Sequence, residues 1–358
     1  MGALKRILII MLALCLVPLG ALAATLEGDS SVFSQALAMR ALNWNNAQSA
    51  EDFKAIFEAE GFEVVMQSNF DKSADDPAHT CAWTAARGML DAESGERQAL
   101  VIAIRGTTAG EWYSNVDIAP SQQDGGVFAE NFLFAAQDVF VALQPVLQQL
   151  DANTAIVVTG HSRGGACANL LGMLLNEQLG AERVYVYTSA TPATVKYSWS
   201  VNYDNIFNLI NAGDIVPRVP LAAWGYTRLG QDILLEESAE ETADADRIAA
   251  TLAAIAPDVA SYYGTRHSLT AAGLSEDGAT AYEIMLAAAS SLTGLGADNT
   301  EPNADISWDA LSEESDFAPL FDLFKKAAED DWTAGKEIMR RHMPATYMQL
   351  LSAYEGEN

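Results

Sequence analysis

Histidine, cysteine and basic residues are all scarce in this chain of 358 residues, and each scarcity excludes something. The four histidines, at 79, 161, 267 and 342, show neither His-x-x-x-His spacing nor cysteines at zinc-site spacing, so no metal site is readable. Of three cysteines, Cys15 lies in an apolar N-terminal run, which leaves Cys81 and Cys167 and at most one internal disulfide. A cysteine among the small residues of a helix also serves as a buried hydrophobe, which is the expectation for Cys167. Only 20 lysines and arginines stand against 48 aspartates and glutamates, a net charge of −28. That balance excludes nucleic acid as a partner and repels strongly anionic membranes. Long apolar runs are missing too, apart from Ile7 to Leu19.

That run has the make-up of a secretory leader. Lys5 and Arg6 form its basic start, and Ala21-Leu22-Ala23 gives the small-residue pattern of a cleavage site, so residues 1–23 are expected to be removed after Ala23 and the protein secreted. The run is short for a membrane span and contains Pro18, and Leu14 stands where a lipoprotein signal needs a small residue before Cys15. Losing Lys5 and Arg6 takes the net charge from −28 to −30. What remains is more than one compact core requires, so one large domain with an insertion, or two domains, is expected.

Periodicity sketches an α/β chain. LAMRALNW and Glu51–Gly61 have helical spacing, and Phe62–Gln67 and His79–Met89 suit strands. Gly95-Glu96 looks like a turn before the apolar strand Gln98–Ile104. From Phe128 to Leu150, apolar residues including Phe132, Val139, Leu143 and Leu147 recur at helical spacing, with a kink expected at Pro145. Trp112 and Tyr113, in the loop before it, fit either a lid or an aromatic anchor. Arg183–Thr188 and Ile206–Asn211 are further buried strands.

The chain is organised around Ala155–Leu175, AIVVTGHSRGGACANLLGMLL. A short β-branched run followed by a small-residue helical stretch gives strand, turn and helix, with Gly160-His161-Ser162-Arg163-Gly164 as the turn. In that context a G-x-S-x-G holds its serine in a strained conformation at the carboxyl edge of the sheet, and the flanking glycines avoid Cβ clashes. Taken alone the pattern also fits an ordinary glycine-rich turn.

Acyl-transfer chemistry demands further parts. Two N–H donors must face the oxyanion, one from the residue after the nucleophile and one from an earlier loop. Arg163 and Thr107, the latter in Arg105-Gly106-Thr107-Thr108 at the end of a strand, occupy those positions. Asp214 follows the strand Ile206–Asn211 directly, where an acid can orient a histidine, although Gly-Asp is also common turn chemistry. On an elbow of this kind the acid and then the histidine follow the serine, which excludes His79 and His161 and leaves His267 and His342.

Four blocks, VIAIRGTTAGEWYSNVD, VVTGHSRGGACANLL, VYVYTSATPA with NIFNLINAGDIVPRVP, and HMPATY, make the sequence resemble the class 3 lipase family in its bacterial secreted branch. The resemblance covers roughly residues 98–230 and the last twenty. It implies an α/β-hydrolase fold, a mostly parallel central sheet flanked by helices, with a helical insertion before the C-terminal histidine. It also implies an oxyanion hole at Thr107 and Arg163, a triad acid at Asp214 and, from the C-terminal H-x-x-x-x-Y, a base at His342 rather than His267. The activity implied is hydrolysis of carboxylic esters, acylglycerols or other lipid esters, through a Ser162 acyl-enzyme, with no metal or organic cofactor. Partners would be the ester substrate and, transiently, a lipid interface. A phospholipase, a serine peptidase on the same scaffold and a non-catalytic binding protein are the alternatives.

Two departures stand out. Arg163 occupies a position that is often aliphatic, which adds a cation beside the pocket. More than a hundred residues separate Asp214 from His342, and they begin with the acidic run EESAEETADAD, expected to be a solvated helix face because its spacing is not that of a calcium loop. The expected division is a hydrolase core over 24–235, a helical acidic insertion or cap over 236–330, and the end of the core over 331–358.

Overall fold

A computed structural model of the chain describes residues 25–70, 80–92, 95–106, 127–196, 201–262 and 340–355. The proposed leader, Thr107, Trp112, Tyr113, His79, His267 and most of the expected insertion lie outside the described residues.

The first third contains β1 (Thr25–Leu26), α1 (Gln35–Trp44), α2 (Ala50–Ala59), β2 (Glu63–Gln67), β3 (Trp83–Ala92) and β4 (Gly95–Ile104). Next come α3 (Glu130–Leu147), β5 (Ala155–His161), α4 (Arg163–Leu179), β6 (Val184–Ser189), β7 (Val195–Lys196) and β8 (Ile206–Asn211). The remaining described elements are β9 (Tyr226–Thr227), β10 (Gln231–Leu235), α5 (Ala239–Ile255) and α6 (Pro344–Ser352).

Eight strands form one sheet in the order β1-β3-β4-β5-β6-β8-β10, with β2 pairing on β3. From β4 onward every pairing is parallel, and β2–β3 and β3–β4 are antiparallel. Parallel neighbours need crossovers, and helices on both faces supply them, which explains why β5, β6 and β8 are buried along their whole length. Alternation along β4 sorts the two cores. Leu100, Ile102 and Ile104 join Ile156, Val158, Phe132 and Leu143 on one face. Ala99, Val101 and Ala103 join Val157, Tyr187, Trp44, Phe53 and Leu351 on the other.

Two boundaries differ from the sequence reading. Strand β3 begins at Trp83 rather than His79. Gly95 and Glu96, expected as a turn, are instead the first residues of β4, paired with Ala92 and Asp91. Ten cross-strand pairs outweigh the low strand propensity of a Gly-Glu step. Pro145 lies in the last turn of α3, and Cys81 and Cys167 are buried free thiols in the same core. Among the described residues, no helix is long and apolar enough to cross a membrane.

Candidate active site

Strand β5 runs straight into α4 through Ser162, which has φ 57° and ψ −129°. This positive φ is one that side chains other than glycine rarely adopt. It is held by a hydrogen bond from Ser162 N–H to the Ser189 carbonyl of β6 (2.9 Å) and by the Ala166 N–H donating to the Ser162 carbonyl (3.0 Å). Glycine at 160 and 164 is a steric requirement. A Cβ on Gly160 would run into the Gly164 carbonyl, and one on Gly164 into the carbonyls of Ile104 and Arg105. The elbow is therefore pressed against the end of β4.

The structure brings Ser162, Asp214 and His342 together. His342 Nε2 is 2.9 Å from Ser162 Oγ, and His342 Nδ1 is 2.9 Å from Asp214 Oδ2. All three are buried, Asp214 to 1 % exposure. Asp214 sits just past β8, where its Oδ1 accepts from the Val216 N–H (3.0 Å) and its Oδ2 from the Tyr347 hydroxyl (2.8 Å). Burial, then the Asp214 charge, push the Tyr347 phenol well above its ordinary range, so it stays protonated and donates.

Several supporting residues escaped the sequence reading. His161 packs its ring against that of His342, with centroids 4.9 Å apart, and its Nδ1 lies 2.9 Å from Ser189 Oγ. Burial, then the neighbouring His342, hold His161 well below the usual histidine range and keep it neutral. Asn211, the last residue of β8, donates to the Arg341 carbonyl (2.9 Å) and accepts from the Gly213 N–H (2.9 Å). One amide thus ties the acid's loop to the residue preceding the histidine. Only Tyr347 carried a sequence signal, its place in H-x-x-x-x-Y.

Of the two expected oxyanion donors, Arg163 is the first residue of α4, and the amides of a first helical turn have no intrahelical acceptor. Its guanidinium, one residue from Ser162, is 6 % exposed, donates to the Thr80 carbonyl (3.0 Å) and lies over the Phe132 ring. A long stem on the buried side of α4 reaches those partners before it reaches water. Thr107 is outside the described residues, but Gly106 directly before it closes on the elbow, where an added Cβ would lie 2.9 Å from the His161 carbonyl. No group of three or more metal-ligating side chains occurs among the described residues.

A mostly parallel sheet with helices on both faces, a serine on a strained turn after β5, an acid after β8 and a histidine beyond β10 make this an α/β-hydrolase fold. Residues 101–224, which include Ser162 and Asp214, match the class 3 lipase family, so the resemblance read from the motifs holds over that segment. A lipase from Rhizomucor miehei is 32% identical over 97 residues, 24% of this chain and 26% of that protein. The chain thus matches about a quarter of the length of that curated relative. Among solved structures, the propeptide complex of Rhizomucor miehei lipase superposes with a TM-score of 0.45 at 20% identity, over 56% of this chain and 67% of that one. The lipase from Rhizopus microsporus var. chinensis gives 0.40 at 20% identity, over 56% and 70%.

Proposed function

We propose that this protein is a secreted serine hydrolase that cleaves carboxylic esters of lipids, acylglycerols among them. One observation carries the reading: Ser162, His342 and Asp214 form an unbroken hydrogen-bonded chain, 2.9 Å at each link. The class 3 lipase match over residues 101–224 and the name of the Rhizomucor miehei relative support an ester of a lipid as the substrate.

In this reading His342 takes the proton from Ser162 as its oxygen attacks the ester carbonyl, and then passes it to the leaving alcohol. Asp214, anchored by Val216 and Tyr347, fixes the histidine tautomer and stabilises the imidazolium. The N–H groups of Thr107 and Arg163 hold the oxyanion, each contributing about 2.7–4 kcal/mol to the barrier reduction. Water, activated by the same base, releases the acyl-enzyme. The leader over residues 1–23, cut after Ala23, sends the protein out of the cell. The division into a core over 24–235, an insertion over 236–330 and a C-terminal return over 331–358 belongs to the same proposal.

Fluorophosphonate labelling with peptide mass spectrometry tests it, on the wild type and on Ser162→Ala, His342→Ala and His267→Ala. The expected result is a label on Ser162 that is lost in the first two variants and kept in His267→Ala. Loss in His267→Ala with retention in His342→Ala would move the base into the insertion. A panel of acyl esters, phospholipids and peptides then separates lipase from phospholipase and peptidase.

A further inference from the structure

The acidic run at the start of the expected insertion is not a purely solvated face. Helix α5 opens with Ser238 as its N-cap, and within its first two turns Glu241 and Asp244 face the chain where it returns, about a hundred residues later. Arg341 is nearly buried. Its Nη2 lies 3.2 Å from Asp244 Oδ2, its Nε 3.7 Å from Glu241 Oε1, and its Nη1 donates to the Glu241 carbonyl at 3.2 Å. Arg340 also pairs with Glu241, and Arg247 with Asp244. Glu237, just before the helix, accepts from Asn211 (3.1 Å), the same side chain that holds the Arg341 carbonyl. Residue 341 is thus gripped at both ends, guanidinium by α5 and carbonyl by β8, one position before His342.

We propose that Arg341 is a positioning residue for the base: its clamp to Glu241 and Asp244 fixes the backbone from which His342 reaches Ser162. This rests on the functional reading given above. His342 is delivered by the chain returning from the insertion, whose backbone just before it is held by Asn211 at the Arg341 carbonyl (2.9 Å) and by the Thr346 hydroxyl at the Arg340 carbonyl (2.6 Å); the clamp adds a hold on the Arg341 side chain. The fork geometry of the guanidinium does this by engaging a carboxylate and a carbonyl at once. A helix that begins the insertion thereby sets the geometry of the site it interrupts.

The test uses the full-length protein, a soluble short-chain ester and a fluorophosphonate, comparing wild type with Arg341→Met, Arg341→Lys, Asp244→Asn and the pair Glu241→Gln with Asp244→Asn. In Arg341→Met, kcat and the labelling rate at Ser162, both per folded molecule, are expected to fall together by about 10- to 100-fold, as a misplacement of the base on the order of 1 Å does. KM should change by less than about threefold, because ground-state binding is left in place. Arg341→Lys, which keeps the charge without the fork, should recover part of the loss. Adding Arg341→Met to the acidic pair should cost little more, since one clamp is being broken twice. A lower Tm with unchanged kcat and labelling per folded molecule overturns the proposal and makes the cluster structural only. Should Arg341→Met fail to fold, Asp244→Asn decides: full activity in that folded variant also overturns it. If folded wild-type protein takes no label at Ser162, the functional reading itself falls and the positioning role falls with it, an outcome distinct from any variant effect.

Discussion

The two ends of the Ser162–His342 hydrogen bond are held in opposite ways. Ser162 is placed chiefly by contiguous chain, a fully buried strand, glycines that let the turn close and a helix beginning one residue later, with β4 and the Ser189 carbonyl of β6 packed against it. His342 is placed by partners far away along the chain, namely Asp214, Asn211 through Arg341, His161, and the acidic face of α5. Loss of one local hydrogen bond leaves the elbow intact, because β5 and α4 still meet at the same turn. The histidine depends on tertiary contacts whose failure moves it without unfolding the sheet. The elbow side should therefore answer to mutation through stability, and the histidine side through rate.

The largest effects come from removing chemistry rather than structure. Ser162→Ala should abolish ester hydrolysis, a loss on the order of 10⁶-fold where the triad acts as one unit, with Tm nearly unchanged because alanine keeps the Cβ and the same positive φ. Asp214→Asn should cost about 10⁴-fold in kcat while the fold and the labelling site persist, because the amide stabilises the wrong histidine tautomer. Steady-state rates on a soluble ester beside thermal melts check both. Retained turnover in either variant would break the triad reading. Gly164→Ala tests the other side. Its Cβ would collide with the backbone carbonyls at the end of β4, so overpacking of about 1–3 kcal/mol or more should lower Tm by several degrees and reduce the yield of folded protein. A variant as stable as wild type would show that the elbow has room to spare.

The same contrast explains what was legible in the sequence. Ser162 and its elbow could be read because strand, turn and helix are contiguous and the G-x-S-x-G spacing is carried by five successive residues. The parallel sheet followed from apolar runs such as Ala155–Thr159 and Ile206–Asn211. His342 needed the family pattern, since nothing in its own segment separates it from His267. Asn211, His161 and Arg341 make hydrogen bonds across 28 to 130 positions of sequence, where periodicity carries no information. The surroundings of Arg163 were hidden for a related reason: only packing reveals the Phe132 face and the Thr80 carbonyl that bury its guanidinium. The partners of the acidic run, Arg340 and Arg341, lie about a hundred residues on, beyond what its own spacing reveals.

Tyr347→Phe sharpens the comparison at smaller scale. It removes one hydrogen bond to a buried carboxylate, worth about 1.5–3 kcal/mol, and leaves the Val216 N–H and His342 in place. The expected result is a kcat lower by on the order of 10-fold with KM nearly constant. Unchanged kcat would mean that Val216 and His342 alone orient Asp214.

The smallest effect is a pH dependence at the α5 clamp, and its sign follows from the two glutamates there. Burial works against the Glu241 charge, but Ser238, Glu237 and the two arginines overcome it and bring its carboxyl down to about 2. An unfolded glutamate titrates near 4.3, so the stabilisation from Glu241 is complete above about pH 4.3 and is lost as pH falls toward 2. Glu237 is shifted the other way, raised by burial and by the hydrogen bond it shares with Glu241. Holding its charge therefore costs stability once pH rises through its folded value. Glu241→Gln should accordingly lower Tm at pH 6 and converge on wild type near pH 2. Glu237→Gln, which keeps an oxygen for Asn211, should raise Tm slightly at pH 6 and converge as pH falls. Both sites are partly exposed, so shifts of only a few degrees, shrinking with added salt, are expected in thermal melts across pH. Opposite signs from two carboxyls four residues apart would separate a specific clamp from a helix that merely carries excess negative charge, where removing either charge should stabilise.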